Sequence, residues 1–198
     1  LNLYFIINRQ DKTKISEINF IGDKKIRDSK LRDLIVSEEY KFWKFISQNI
    51  YLSQDRIELD KRLLVNFYKS LGYYDIQVIS NFAEISKNNE TILTYNINAG
   101  TRYKISKINT NLDQSLDKKP FVDLQNVYGE FIGKYYSPFS VKKILDEIDE
   151  VIIDNDLQFV QHSVSENLSA DNIEITFNIF EGPRIMVERL NIDGNRIT

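Results

Sequence analysis

The sequence predicts an α+β fold made of small domains in tandem, and three features of the chain lead to this prediction. One strand pattern, in which apolar and polar residues alternate, begins at Ile15, at Ile105 and at Val187. A similar strand precedes each of these openings, and patterns of helical period lie between them. The openings are roughly 80 to 90 residues apart, which is the size of a small domain rather than of a solenoid repeat.

The repeat predicts where each domain begins and ends. A Gly follows the opening strand in the first and third copies, at Gly22 and Gly194. Another Gly closes the preceding strand at Gly100 and Gly182, and Gln10 holds that place before the first opening. We therefore expect four segments: the last strand of a preceding domain (1–10), two whole domains (13–100 and 102–182) and the first strand of a following domain (184–198).

Two helices are predicted after the opening strand of the first domain. Asp28 is placed to cap the first helix, and the apolar residues of this helix are Leu31, Leu34 and Ile35. The second helix begins after Ser53 or Asp55 and ends at Gly72, which favours the left-handed geometry of a helix C-terminus. Its apolar residues form one stripe: Leu63, Leu64, Phe67, Tyr68 and Leu71.

A hairpin then completes each domain. In the first domain its strands are Ile76–Ile85 and Thr91–Asn98, joined by a turn at 87–90. In the second domain they are Val160–Leu168 and Ile173–Phe180. The helix before the second hairpin has one apolar stripe: Val141, Ile144, Leu145, Ile148, Val151 and Ile152.

Each domain should therefore have the order strand, helix, helix, strand, strand. Asn155 and Asp156 stand in the second domain where Gly72 stands in the first, and both tolerate left-handed geometry. A sheet of three strands cannot bury both faces with so few residues, so two helices on one face give a two-layer domain.

Composition narrows the classes of partner and of chemistry. The net charge is −3, with Lys and Arg scattered among acids, whereas a nucleic-acid-binding protein usually has a clustered basic face. We therefore expect no nucleic-acid partner. The chain has no Cys, which excludes disulfides and Cys-based zinc sites and is compatible with the periplasm.

No set of residues predicts an enzyme. His162 is the only histidine and stands beside Ser163 on a predicted strand, where neighbouring side chains point to opposite faces. The sequence Asp154-Asn-Asp156 begins like a calcium loop but lacks the Gly and Glu that such a loop needs. We expect no catalytic, cofactor-binding or metal-binding residues.

Three marks of the repeat resemble the POTRA domain. They are the opening apolar-x-x-apolar-x-apolar-x-Gly-Asn/Asp (Ile15–Asp23 and Val187–Asn195), Leu71-Gly72-Tyr73 at the end of the second helix, and Asn-Ile-x-x-Gly at the close of each domain. The resemblance covers nearly the whole chain. It implies tandem POTRA domains, each with a mixed three-stranded sheet covered on one face by two helices.

An aromatic segment makes the resemblance more specific. Tyr40-Lys-Phe-Trp-Lys-Phe45 lies where the third of five POTRA domains in the Omp85 family's outer-membrane assembly factors has a tryptophan-rich segment. The resemblance implies domains three and four of that periplasmic arm, in a parent protein embedded in the outer membrane. It further implies a monomeric scaffold and chaperone arm that binds a BamB-type lipoprotein, other accessory proteins of the assembly (BAM) machine and unfolded outer-membrane proteins.

The alternative is the POTRA arm of a two-partner secretion transporter, which recognises one secreted client. A total of two POTRA domains in the parent protein would favour this alternative.

The first strand of each hairpin is the candidate binding site. In the POTRA family this strand lies at the sheet edge, where unpaired backbone groups can take an added strand. The first candidate edge comprises Ile76, Val78, Ser80, Phe82, Glu84 and Ile85, and Phe82 and Ile85 stand where the resemblance places the lipoprotein contact. The second candidate edge comprises Val160, His162, Val164 and Glu166. In the other interpretation, Ile76 and Val78 face the helices and the edge meets only solvent.

The aromatic loop is a second candidate, with Phe42, Trp43 and Phe45 as its site residues. It could be an exposed contact patch. The sequence favours burial in the core instead, since a small domain needs every large side chain that it can bury.

Overall fold

The computed structural model describes residues 13–44, 46–85 and 90–183, without the side chains of 81–85. The predicted terminal strands at 1–10 and 184–198 and the turn at 87–89 lie outside these residues. The chain divides into two compact units. Among the described residues, the first comprises 13–104 with 135–139, and the second comprises 105–134 with 140–183.

The first unit has two helices between its first strand and a hairpin. Its elements are β1 (Lys14–Asp23), α1 (Asp28–Arg32), α2 (Gln54–Ser70), β2 (Gln77–Ile85) and β3 (Glu90–Asn98), with a short 3-10 helix at Gln48–Ile50. β3 lies in the middle of the sheet, parallel to β1 and antiparallel to β2.

The second unit follows the same order. Its elements are β4 (Lys104–Leu112), α3 (Leu124–Gly129), α4 (Pro138–Asp154), β5 (Val160–Ser169) and β6 (Asn172–Glu181), with a 3-10 helix at Lys119–Phe121. β6 lies between β4 and β5, and it pairs with β5 in antiparallel register. The predicted α+β fold, with two mixed three-stranded sheets and their helices, is confirmed.

The core of the first unit lies between the helices and one face of its sheet. Phe20 of β1 stacks on Tyr95 of β3 with 5.7 Å between the ring centroids, and both rings are buried. α2 buries Ile57, Leu64 and Tyr68 against them. These side chains recur at helical spacing, so one face of α2 supplies the apolar layer over the sheet.

The first helix is shorter than predicted, and its cap is different. It spans five residues, and its N-cap is Arg27, in extended backbone and without a side-chain hydrogen bond. Asp28, the predicted cap, lies inside the first turn, where its negative charge favours the N-terminal end of the helix dipole. Leu34 and Ile35 lie beyond the end of the helix and still pack against the core.

The second unit repeats the aromatic packing at other positions. Tyr128 of α3 stacks on Phe177 of β6 with 5.9 Å between centroids, and its hydroxyl lies 2.5 Å from the Thr110 hydroxyl on β4. α4 contributes Val141, Ile144 and Ile148 as its buried residues. The two predicted helix ends are confirmed: Gly72 has φ +101° and Asp156 has φ +51°.

Candidate functional site

Each sheet has an edge strand without a neighbour on its outer side. β2 and β5 both lie at an end of their strand order, as expected for the first strand of each hairpin. Within the described ranges, no strand pairs with the outer side of either. Alternate residues of such a strand direct their backbone N–H and C=O groups away from the sheet, where a further strand could bind them.

The opposite edge of each sheet is covered where its strand begins. In the first unit, the Tyr40 N–H donates to the Ile15 carbonyl at 2.7 Å. In the second unit, the Ile105 carbonyl accepts from the Gly133 N–H at 2.7 Å, and the Ile105 N–H donates to the Lys134 carbonyl at 2.8 Å. Ile15 and Ile105 hold the same place in the repeat, so in both units the loop between the helices covers the start of the first strand.

The residues of the first edge have different roles. Ile76 is buried just before β2, and Val78 packs against the same core. The interpretation that these two side chains face the helices is therefore correct. Ser80 is half-buried, whereas Ile79, on the other face of the strand, is 57% exposed. Ile79 was not among the predicted site residues, although strict alternation from the buried Ile76 and Val78 places it on the helix-free face.

The far end of the first edge is described by its backbone alone. Phe82 pairs with Leu93, Glu84 with Thr91 and Ile85 with Glu90 in the antiparallel register. The side chains of these three candidate residues lie outside the described part of the chain. Their use in binding stays a prediction.

The second edge alternates cleanly. Its four candidate residues, on the helix side, are half-buried: Val160, His162, Val164 and Glu166. The residues between them are exposed on the helix-free face: Gln161, Ser163, Ser165 and Asn167. His162 Nε2 lies 2.8 Å from Asp149 Oδ1 on α4, and Ser163 points to the other face. His162 thus connects the edge strand to its helix.

The aromatic loop is exposed, so the prediction that it completes the core is wrong. Phe42 is 78% exposed and Trp43 is 60% exposed, and their rings contact each other edge to face at 4.6 Å between centroids. Ile46, beside them, is 79% exposed. Other rings, such as Phe20 and Tyr95, already fill the core. Phe45 lies outside the described residues.

A buried carboxylate holds the segment that leads into this loop. Asp60 of α2 is fully buried and accepts from the Val36 N–H at 2.6 Å and from the Ser37 N–H at 3.3 Å. The Tyr95 hydroxyl donates to its other oxygen at 2.7 Å. Asp60 was not predicted from the sequence, although an acid three residues after Ile57 and four before Leu64 stands in the apolar stripe of the helix.

Burial raises the pKa of Tyr95 well above its ordinary value, and its hydrogen bond to Asp60 adds to the shift. Tyr68 and Tyr128 also have raised pKa values, in both cases mainly because their rings are buried.

Within residues 13–44, 46–85 and 90–183, no group of three acidic or histidine side chains is placed to hold a metal ion. None of the helices described is both long and apolar enough to cross a bilayer.

Comparison with known proteins connects this geometry to one family. The POTRA family, described as surface antigen variable number repeat, matches residues 13–100. The outer membrane protein assembly factor BamA of Buchnera aphidicola is 26% identical over 100% of this chain, and BamA of Neisseria meningitidis is 21% identical over 97%. The chain spans 32% and 24% of the length of these two relatives.

Solved structures show the same fold. Haemophilus influenzae BamA POTRA3-5 superposes with a TM-score of 0.69 at 13% identity, covering 98% of this chain and 76% of that one. POTRA1-2 of the periplasmic domain of Omp85 from Anabaena superposes with a TM-score of 0.55 at 9% identity, covering 88% of this chain and 99% of that one. The first unit therefore matches the POTRA family, and the fold of the chain is similar to that of the tandem POTRA domains in these solved structures.

Proposed function

We propose that this chain is part of the periplasmic arm of an outer-membrane protein assembly factor, corresponding to its third and fourth POTRA domains. Three relatives that match 94% to 100% of this chain carry the name outer membrane protein assembly factor BamA. In this role the chain is a scaffold that binds other proteins and catalyses no reaction of its own.

The arm would bind its clients by adding their extended segments to β2 and β5. The observation that carries this proposal is the asymmetry of each sheet: the loop between the helices covers the start of one edge, and the other edge has no neighbouring strand among the described residues. Main-chain hydrogen bonds do not depend on side-chain identity, so one edge can take segments of many unfolded outer-membrane proteins with modest affinity.

A BamB-type lipoprotein would bind at the far end of β2, near Phe82 and Ile85. The exposed ring pair of Phe42 and Trp43 offers a second apolar contact on the same unit. Exposed aromatic side chains are enriched where proteins bind one another, because they bury a large area at little cost in side-chain entropy. Other accessory proteins of the assembly machine would use surfaces of the same kind.

The client proposal is tested by NMR titration of the 198-residue chain with a peptide from an outer-membrane β-strand. We expect amide shifts concentrated at Gln77–Ile85 and Val160–Ser169. The control is the same peptide with proline at alternate positions, which cannot pair as a strand. Shifts that are absent from both edges, or equal for the two peptides, would refute strand addition.

The lipoprotein proposal needs a separate experiment. Phe82→Glu with Ile85→Glu should abolish binding of a BamB-type lipoprotein in a pull-down, and Trp43→Ala should weaken it. Val122→Glu is the matched control, because Val122 is an exposed apolar residue of the second unit. If the double variant keeps its folded amide spectrum and still binds as the parent chain does, the contact lies elsewhere.

A further inference from the structure

A row of polar side chains crosses the helix-free face of the second sheet. Asn111 Nδ2 on β4 donates to Asn178 Oδ1 on β6 at 3.1 Å. Asn178 Nδ2 in turn donates to Ser165 Oγ on β5 at 2.9 Å. The row therefore passes through all three strands and ends at the open edge.

The corresponding row in the first sheet is apolar at both ends. Asn96 of β3 pairs with Ile21 of β1 and with Ile79 of β2, and both isoleucines are exposed. The positions on the first and central strands correspond in the repeat, whereas Ser165 is not the counterpart of Ile79. On β5 the residue in register with Asn178 is Ser163, as Ile79 is in register with Asn96 on β2, and Ser165 lies two residues further along. Asn96 stands four residues before Gly100, as Asn178 does before Gly182, and Ile21 stands six residues after Ile15, as Asn111 does after Ile105.

An added strand would meet these rows directly. Its side chains alternate between the helix side and the helix-free face. Those on the helix-free face would lie beside Ile79 in the first unit and beside Ser163 and Ser165 in the second. Side chains in such cross-strand positions interact when their chemistry matches.

Ser165 is equipped to continue the polar row. Its oxygen accepts from Asn178, and a hydroxyl has one proton to donate as well as a second lone pair. A Ser, Thr, Asn or Gln side chain on the added strand could therefore bond to it. An apolar side chain would cover the hydroxyl without a hydrogen bond, which is unfavourable.

We propose that the two edges select different strands: β5 prefers segments with hydrogen-bonding side chains on the helix-free face, and β2 prefers segments with apolar side chains there. This inference rests on the strand addition proposed above and names the class of segment that each unit takes. Two domains of one fold would then bind different parts of an extended client.

The test uses two lysine-flanked peptides of equal length. Both have Val at every second position. The polar peptide has Thr and Asn at the positions between, and the apolar peptide has Leu and Ile. In NMR titrations of the 198-residue chain, the polar peptide should bind Val160–Ser169 about threefold more tightly than the apolar peptide, and Gln77–Ile85 should show the reverse order.

Substitutions at the ends of the rows test the cause of the preference. Ser165→Val should shift the preference of β5 toward the apolar peptide, and Ile79→Thr should shift that of β2 toward the polar one. Asn167→Val is the control, because Asn167 is exposed on the same face of β5 and takes no part in the hydrogen-bonded row. All three positions are on the surface, and an unchanged amide spectrum of the central strands verifies the fold.

The outcomes separate this inference from the proposed function. If both edges bind both peptides with equal affinity, or if Ser165→Val leaves the preference of β5 unchanged, selection by the rows is wrong while strand addition stands. If neither peptide shifts either edge, strand addition itself is wrong.

Discussion

Arg32 and Glu39 form an ion pair that lies against the outer side of β1 and satisfies both backbone groups of Ile18. The Ile18 N–H donates to Glu39 Oε1 at 3.1 Å, and the Ile18 carbonyl accepts from Arg32 Nη2 at 2.9 Å. A neighbouring strand would offer the same acceptor and the same donor. The pair thus closes the edge of β1 with side chains, which is one way in which proteins prevent edge-to-edge association.

Removing this pair should open the edge. In the double variant Arg32→Ala, Glu39→Ala, both backbone groups of Ile18 are available to another chain, and we expect self-association that increases with protein concentration in sedimentation experiments. Glu38→Ala is the matched control, because the Glu38 side chain pairs with Lys44 and makes no hydrogen bond to β1. A double variant that sediments as the parent chain does at every concentration would show that the edge is closed by other means.

Asp60 should be the most sensitive polar residue of the first unit. Asp60→Ala leaves the donors of Val36, Ser37 and Tyr95 without an acceptor in a buried place. We expect the free energy of unfolding to fall by about 4 kcal/mol, since each buried unsatisfied group costs about 1 to 3 kcal/mol. Urea denaturation followed through the amide resonances of β3 measures the loss.

Tyr95→Phe provides the comparison for Asp60, because it removes one of these hydrogen bonds and keeps the ring. It should cost about 1 kcal/mol. Combining the two substitutions gives the coupling energy between the side chains. Equal losses for Asp60→Ala and Tyr95→Phe would mean that the Val36 and Ser37 bonds contribute nothing.

The buried tyrosines predict a loss of stability at alkaline pH. The pKa of Tyr95 and that of Tyr68 are raised in the folded chain above the ordinary value of 10.0. Folding therefore favours the protonated phenols. Their stabilising contribution is complete below pH 10 and is lost as pH rises beyond it, because the unfolded chain then releases protons that the folded chain retains.

The variant Tyr95→Phe tests this pH dependence. Above pH 10, its unfolding free energy should fall less steeply than that of the parent chain, by up to about 1.4 kcal/mol per pH unit. Phe20→Leu is the control, because it weakens the same core without removing a phenol and should leave the slope unchanged. Parallel slopes for Tyr95→Phe and the parent chain would contradict the prediction.

The fold was predictable because its signals are local. The alternation of β1 and of the two hairpins, and the left-handed positions at Gly72 and Asp156, depend on residues close in sequence. The buried face of α2 was predicted less well. The predicted stripe included Leu63 and Leu71, which lie beside the buried face and not on it. The observed face is buried at Ile57, Asp60 and Leu64, because the packing of the helix on the sheet selects among several apolar positions.

The candidate site was predicted in part. The family resemblance placed β2 and β5 at sheet edges, and the structure agrees. The exposure of Phe42 and Trp43 could not be read from the sequence, because it depends on which other rings fill the core. The hydrogen-bonded row that ends at Ser165 also needs Asn111 of β4 beside Asn178 of β6, and no local pattern fixes the register of two strands so distant in sequence.

The exposed loop predicts a substitution without cost to folding. Trp43→Ala should change the free energy of unfolding by less than about 0.5 kcal/mol, as for other surface positions. Phe20→Ala in the same unit should cost about 3 to 5 kcal/mol, because its ring is buried against Tyr95. Urea denaturation compares the two. A loss at Trp43 close to that at Phe20 would place the indole in the core after all.

Hydrogen exchange should distinguish the open edges from the closed ones. Amides of the central strands β3 and β6 are bonded on both sides of the sheet, and we expect them to exchange only when their unit unfolds. Alternate amides of β2 and β5 point away from the sheet and should exchange many times faster. Ile18, in the edge strand β1, should be protected like a central residue, because its N–H is bonded to Glu39. Uniform protection along β2 and β5 in the isolated chain would mean that these edges are already occupied and cannot take a client strand. Protection that appears only when a strand peptide is added would locate the bound peptide at the fast amides.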